Sequence, residues 1–284
     1  MSTADPIEAA QRRILVLLDN GSLRADSTRS LRRLAAVLGE RIGEPVHPVS
    51  LLHADKVPAA ELDGQAARIL GPFLEQRLVS GDRQFAVIPL FFGRSRALTH
   101  ALPDAAAALR ASYGPFQLDI AAPLCPLPGG EPRLADILEE NLHAAAARSG
   151  VSPQRVLLVD HGSPVPAVTA VRQWLAQALN DRLGPAVAVS EAAMERRPGP
   201  TYDFNGEPLE QALARLVSEA PSKPIFLLPL FLAAGRHAGP GGDIERMRVA
   251  VEQRHPAAQI IQAPLVGSHP KLIEILADRA RPSG

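Results

Sequence analysis

The feature that most limits how this chain can fold is that it repeats itself once. Ile14-Leu-Val-Leu-Leu-Asp-Asn-Gly-Ser22 is matched by Arg155-Val-Leu-Leu-Val-Asp-His-Gly-Ser163. Both are an apolar run, an aspartate, one variable residue, then Gly-Ser. Ile88-Pro-Leu-Phe-Phe-Gly93 is matched by Leu228-Pro-Leu-Phe-Leu232, followed closely by Gly235, and Ala122-Pro-Leu124 by Ala263-Pro-Leu265. The last pair precedes two helix-like segments, Leu134–Leu138 and Leu272–Leu276. Any one match is weak, because short apolar runs are common. All three in one order, each about 140 residues apart, mark a duplication. A chain of 284 residues has room for two domains, each with its own core.

Within each half, short apolar runs alternate with longer amphipathic stretches. Ile14–Leu18, Phe85–Leu90, Val156–Val159 and Ile225–Leu230 are rich in branched residues and lack polar alternation, as strands buried on both faces of a parallel sheet do. Ser27–Leu38, Ala66–Leu78, Val168–Leu183 and Leu209–Val217 carry apolar residues at helical spacing. The alternation predicts an α/β protein of two tandem homologous doubly wound domains with parallel sheets, related by a pseudo-two-fold. A domain boundary is expected near Arg148–Gln154, where Ser-Gly-Val-Ser-Pro breaks the preceding helix, giving domains at 12–148 and 154–284.

Composition removes several classes of function. Lysine plus arginine equals aspartate plus glutamate at 30 each, so no global field favours nucleic acid or an anionic membrane. Aromatic content of 4% argues against a base-stacking surface. The single cysteine, Cys125, permits neither an internal disulfide nor a cysteine-rich metal site. Met1–Arg12 is polar and lacks the apolar stretch of a secretory signal, and the longest apolar run, Ile225–Ala234, is too short to span a bilayer. These features together predict a cytoplasmic protein without nucleic-acid or membrane partners.

In open parallel sheets, ligands bind beyond the carboxyl ends of the strands. In the second half two histidines stand there: His161 in Asp160-His161-Gly162-Ser163, and His237 in Gly235-Arg236-His237. A third candidate, Glu195, follows the run Ala186–Ala193. Two imidazoles and a carboxylate at one cleft suit a borderline divalent ion such as cobalt, iron, nickel or zinc, and the same groups can serve as bases. The stretch Gly235–Gly242 reads equally as a glycine loop for phosphate, but it lacks the Gly-x-x-x-x-Gly-Lys-Ser/Thr pattern. Gly162-Ser163-Pro164 does not fit the nucleophile elbow of serine hydrolases.

These residues resemble the sirohydrochlorin chelatases of the CbiX/SirB type, with the class II chelatase fold. The family marks are a strand ending in His-Gly-Ser, a central strand leading to Phe-Leu-Glu-like sequence, and Pro-Leu-Phe-Leu before Gly-x-His and Asp-Ile. They correspond to His161-Gly162-Ser163, Ala193-Met194-Glu195, Pro229–Leu232, Gly235–His237 and Asp243-Ile244. The resemblance implies a lyase-type metal chelatase that inserts cobalt or ferrous iron into sirohydrochlorin or a related tetrapyrrole, in cobalamin- or siroheme-type biosynthesis. His161 and His237 would bind the metal and accept pyrrole protons, with Glu195 as third ligand or proton acceptor. The divalent metal (cobalt, iron or nickel) is a substrate, and no organic cofactor is implied. Ser163, Arg196, Arg236, Arg94 and Arg96 are the candidate contacts to the substrate's carboxylates; the arginines suit that role by charge and geometry. A monomer whose two domains form one cleft is expected. The alternative on the same fold is a metal- or tetrapyrrole-binding protein without turnover, a chaperone or sensor.

Two departures from the family pattern stand out. Five residues, Ala238 to Gly242, separate His237 from Asp243 where the family has three, which puts the usual place of Asp243 in question. In the first half Asn20 stands at the His161 position, His53 roughly at that of Glu195 and Ser95 near that of His237. Asparagine and serine are poor ligands for these ions. The first domain is therefore expected to have lost its metal site and to act as lid, scaffold or half of the substrate cleft.

Overall fold

The computed structural model describes residues 13–281. The reading of Met1–Arg12 and the outermost residues of the ranges 12–148 and 154–284 lie outside them. The first half runs β1 (Ile14–Asp19), α1 (Ala25–Ile42), β2 (Val46–Ser50), α2 (Leu70–Val79), β3 (Gln84–Pro89), α3 (Leu102–Tyr113), β4 (Gln117–Ile120) and α4 (Pro132–Ser149). The second runs β5 (Arg155–Asp160), α5 (Pro166–Leu183), β6 (Ala188–Ala193), α6 (Leu209–Glu219), β7 (Ile225–Pro229), α7 (Asp243–Arg254), β8 (Ile260–Gln262) and α8 (Lys271–Ala280).

The strands form two parallel four-stranded sheets of identical order, β2-β1-β3-β4 and β6-β5-β7-β8. The protein is thus α/β with two similar halves. The fully apolar runs occupy the central strands, where Val16, Leu17, Val87, Leu157, Val159, Leu227 and Leu228 are buried. β4, at an edge of its sheet, is mostly exposed. In the second half Leu157, Val159 and Leu227 pack with Leu209, Leu213, Val217, Ile244 and Val251 from α6 and α7 into one apolar layer.

The helices expected at Ser27–Leu38, Val168–Leu183 and Leu209–Val217 are α1, α5 and α6. The one expected at Ala66–Leu78 starts later, at Leu70. Residues 66–69 are extended because Ile69 bridges to Ser50 and the Arg68 carbonyl accepts from the Ser50 amide, so their backbone bonds go to the sheet.

Packing groups the chain differently from the linear repeat. Among the described residues, one compact unit holds 13–91, 96–123 and 276–281; the other holds 92–95 and 124–275. Helix α4, the last element of the first repeat, therefore belongs to the second unit, where Asn141 on it donates to the Pro264 carbonyl at 3.2 Å. The end of α8 belongs to the first unit, and its Ala280 carbonyl accepts from Arg13 at 2.7 Å. No helix among the described residues is long and apolar enough to cross a membrane.

Candidate metal centre

The second sheet places β5 and β7 side by side at its centre, where the strand order reverses. Such a reversal opens a crevice beyond the carboxyl ends of the strands, because the connections leave toward opposite faces. His161 follows β5 and His237 follows the β7 segment, and the two rings meet edge to face with centroids 4.6 Å apart. His161 is about half exposed and His237 partly buried, so both are open to a ligand.

The turn that presents His161 is tightly determined. Beyond the strands, the Met194 amide donates to the Asp160 carbonyl and the Glu195 amide to that of His161, at 2.7 and 3.2 Å. This brings the Glu195 backbone against Gly162, where a Cβ would lie 1.9 Å from the Glu195 carbonyl oxygen. Gly162 also has φ of +86°, so two independent constraints demand glycine. Glu195 is largely exposed, and its carboxylate lies 3.5 Å from His161 Nε2.

The hydrogen bonds of the two rings define what they offer. His161 Nδ1 lies 3.2 Å from the Gly162 carbonyl, and His237 Nδ1 lies 2.5 Å from the Asp243 carboxylate. The carboxylate oxygen at His237 is an acceptor, so a neutral ring there donates from Nδ1 and leaves the Nε2 lone pair free. At His161 donation from Nδ1 to the Gly162 carbonyl likewise frees Nε2. At His161 that lone pair faces a carboxylate oxygen. Two acceptors at that distance repel unless a cation or proton lies between them.

Asp243 reaches His237 despite the longer loop. The amides of Gly239 and Gly242 donate to the carbonyls of Gly235 and Gly239, coiling residues 235–242, and the Ile244 amide returns to the His237 carbonyl at 3.0 Å. The five intervening residues are thus taken up in a tight turn. Burial would raise the Asp243 carboxyl, but the His237 hydrogen bond and the charges of Arg246, His237 and Arg236 outweigh it and hold it below its ordinary value.

Beneath the His161 turn lies a polar network that the sequence reading missed. Arg172, fully buried on α5, reaches Asp160 at 2.5 Å, Glu191 at 3.1 Å and the Asn205 carbonyl at 2.6 Å. Asn205, also buried, accepts from the Ser163 amide and Thr169 hydroxyl and donates to the Ser163 carbonyl. Asp160 accepts from the Gly162 amide at 3.0 Å. Burial pushes the Asp160 carboxyl up, and Arg172 opposes that rise. One signal for Arg172 was present: it interrupts the core stripe of Val171, Leu175 and Leu179 on an otherwise amphipathic helix. Asn205 ends a short turn, and its sequence surroundings carry no signal.

The other expected residues divide. The Ser163 hydroxyl accepts from the Val165 amide at 3.1 Å, shaping the turn into α5. Arg196 pairs with Asp203 at 3.0 Å, whereas Arg236 is three-quarters exposed and 4.0 Å from Asp243. Arg94 and Arg96 are both exposed and fall in different compact units. Among the described residues, no group of three or more His, Cys, Asp or Glu side chains is arranged to hold a metal ion. The structure brings the two imidazoles together and sets Glu195 beside one of them.

The first sheet shows what stands at the corresponding places. The Leu51 and Leu52 amides donate to the Asp19 and Asn20 carbonyls, as those of Met194 and Glu195 do to Asp160 and His161. A Cβ on Gly21 would strike the Leu52 carbonyl oxygen at 1.7 Å, as one on Gly162 would strike that of Glu195. The residue matching Glu195 is thus Leu52, one place before the expected His53. Ser95 and Gly235 donate to the carbonyls two residues before them in equivalent turns, so Ala97, not Ser95, matches His237.

This fold, a pair of four-stranded parallel sheets of the same strand order, is shared with solved chelatase structures. SirB from Bacillus subtilis with Fe3+ is similar at a TM-score of 0.67 and 17% identity, over 94% of each chain. A cobalt complex of the sirohydrochlorin chelatase SirB from Bacillus subtilis subspecies spizizenii gives 0.65 and 16%, over 94% of this chain and 93% of that one. CbiX, described as the terminal enzyme for biosynthesis of siroheme in denitrifying bacteria, gives 0.59 and 20%, over 94% and 97%. At these identities the likeness is one of fold. No curated protein matches the chain in sequence. Residues 155–283, which hold both histidines, match the CbiX family model.

Proposed function

We propose that the second half of the chain binds a divalent metal ion, cobalt or ferrous iron, through His161 and His237 and inserts it into sirohydrochlorin or a related tetrapyrrole. The observation that carries this reading is the pair of imidazoles 4.6 Å apart, each with Nδ1 against an oxygen and each offering Nε2. The match of residues 155–283 to the CbiX family model and the fold shared with SirB, whose structures hold Fe3+ and cobalt, support it.

Insertion exchanges one divalent ion for the two pyrrole N–H protons of the macrocycle. The site therefore has to release a cation and take up protons in the same place. An imidazole Nε2 does both in turn: the lone pair that lets go of the metal is freed to accept a pyrrole proton. Asp243 stabilises the imidazolium formed at His237, and Glu195 serves as third ligand or as the acceptor next to His161. Arg236, Arg196 and Arg94 orient the carboxylates of the tetrapyrrole, and Ser163 shapes the turn beside them.

The test is cobalt-dependent loss of free sirohydrochlorin absorbance. The wild-type chain is expected to accelerate it, and His161→Ala or His237→Ala to abolish the acceleration. Full activity in both variants would overturn the assignment of the site. Stoichiometric metal or tetrapyrrole binding with no rate above the uncatalysed insertion would instead identify a carrier or sensor.

A further inference from the structure

We propose that Arg172 is a positioning residue for His161: it holds the turn that aims the His161 ring, and it is the element whose presence separates the metal-binding half from the other. The proposal rests on the metal-insertion reading for its role in activity, and on packing alone for its role in positioning.

The argument begins with cost. A guanidinium with no solvent exposure is expensive to bury, and replacing a buried ion pair as a whole by apolar side chains of similar volume is often neutral or stabilising. A charge there needs a reason beyond stability. Its three partners supply one. Asp160 is the residue before His161 and holds the Gly162 amide. Asn205 clasps Ser163 by both its amide and its carbonyl. Glu191 lies on β6, whose extension carries Glu195. One planar fork thus reaches the segments before, after and beside the imidazole. Arginine suits this because its donors diverge in a fixed plane, which a lysine ammonium cannot reproduce.

The internal repeat provides the control. On α1 the buried face carries Thr28, Leu31, Leu34 and Leu38, and on α5 Thr169, Arg172, Leu175 and Leu179. At these four positions the helices correspond except that Leu31 stands for Arg172; elsewhere on the buried faces Ser30 stands for Val171. That same half has Asn20 in place of His161. The fold keeps its aspartate and its glycine turn without the arginine, as Asp19 and Gly21 show. Arg172 is therefore dispensable for the turn's existence and accompanies the imidazole.

The experiment compares wild type, Arg172→Lys, and the double variant Asp160→Asn with Arg172→Leu. In the double variant the buried pair becomes uncharged while the Gly162 amide keeps an acceptor. The readouts are thermal unfolding, cobalt(II) binding by calorimetry, and the imidazole proton–nitrogen NMR signals without metal, with those of His47 on the first sheet as internal reference. The expected double variant folds, binds cobalt roughly 10–100-fold more weakly, and shows moved His161 signals with those of His47 unmoved. A folded double variant with wild-type affinity and unmoved His161 signals overturns the proposal. Should the double variant not fold, Arg172→Lys decides on the same criteria. If wild type itself binds no cobalt, the metal-insertion reading falls. The His161 signals then decide alone, moved supporting the positioning role and unmoved overturning it.

Discussion

At the scale of single residues, burial raises the matching aspartate carboxyl in both halves, but the partners that oppose the rise differ. Asp160 faces the buried Arg172, whereas Asp19 has hydrogen bonds from Ser50 and Gly21, and Leu31 stands in the arginine's place. Burial pushes the Asp19 carboxyl up to about 6, with those hydrogen bonds only partly opposing it. A carboxyl raised in the folded state favours folding below its unfolded value and loses that contribution as pH rises through the raised one. Asp19→Asn is therefore expected to raise stability at pH 8 by up to ~3 kcal/mol, with little change near pH 4. Asp160→Asn should act in the opposite sense, lowering stability by ~3 kcal/mol, because it leaves a buried guanidinium short of its counter-charge. Denaturant unfolding at both pH values measures each. Destabilisation by Asp19→Asn at pH 8 would contradict the account.

At the scale of elements, helix α7 couples to the site through its first residue. Asp243 stands in the first turn, at the positive end of the helix, and bonds His237 Nδ1, so one carboxylate complements the helix dipole and fixes a ring. Asp243→Ala is expected to weaken cobalt binding roughly 10–100-fold while costing only about 1 kcal/mol of stability. Asp243→Asn keeps an acceptor for Nδ1 and should lose less affinity than the alanine variant. Calorimetric titration beside thermal unfolding separates the effects. A large loss of stability without loss of affinity would show that Asp243 serves the helix alone.

At the scale of the whole molecule, the two halves share an architecture and differ in the residues at the ends of their central strands. At the carboxyl edge of the first sheet, Asn20, Leu52 and Ala97 stand where the second has His161, Glu195 and His237. Leu23 and Leu52 are exposed there, apolar side chains that offer a cation nothing. One cobalt per chain is the expected stoichiometry, falling to none on combining His161→Ala with His237→Ala. Metal analysis after gel filtration reads this directly, and two ions per wild-type chain would reassign the first half.

The sequence by itself determined the duplication, the strand type and the pair of histidines, because these depend on local pattern. Branched apolar runs without alternation dictate strands covered on both faces, and a residue just past such a run emerges at the sheet's edge. The late start of α2 escaped that reading, since the bridge from Ser50 to Ile69 is formed with a distant strand. So did the match of Leu52 and Ala97 to Glu195 and His237, which only backbone pairing settles. Only the tertiary structure decided that a glycine-rich loop of extra length would coil back to set Asp243 on His237, and that α4 would pack with the second unit. It likewise decided that a charged residue on a core stripe would tie Asp160, Glu191 and Asn205 together under the His161 turn. The physical reason for α4 and for the Arg172 network is that the contacts join segments distant in the chain, and their energy exists only once those segments have met. The Asp243–His237 bond spans six residues and depends instead on backbone turns within the loop that no local pattern spells out.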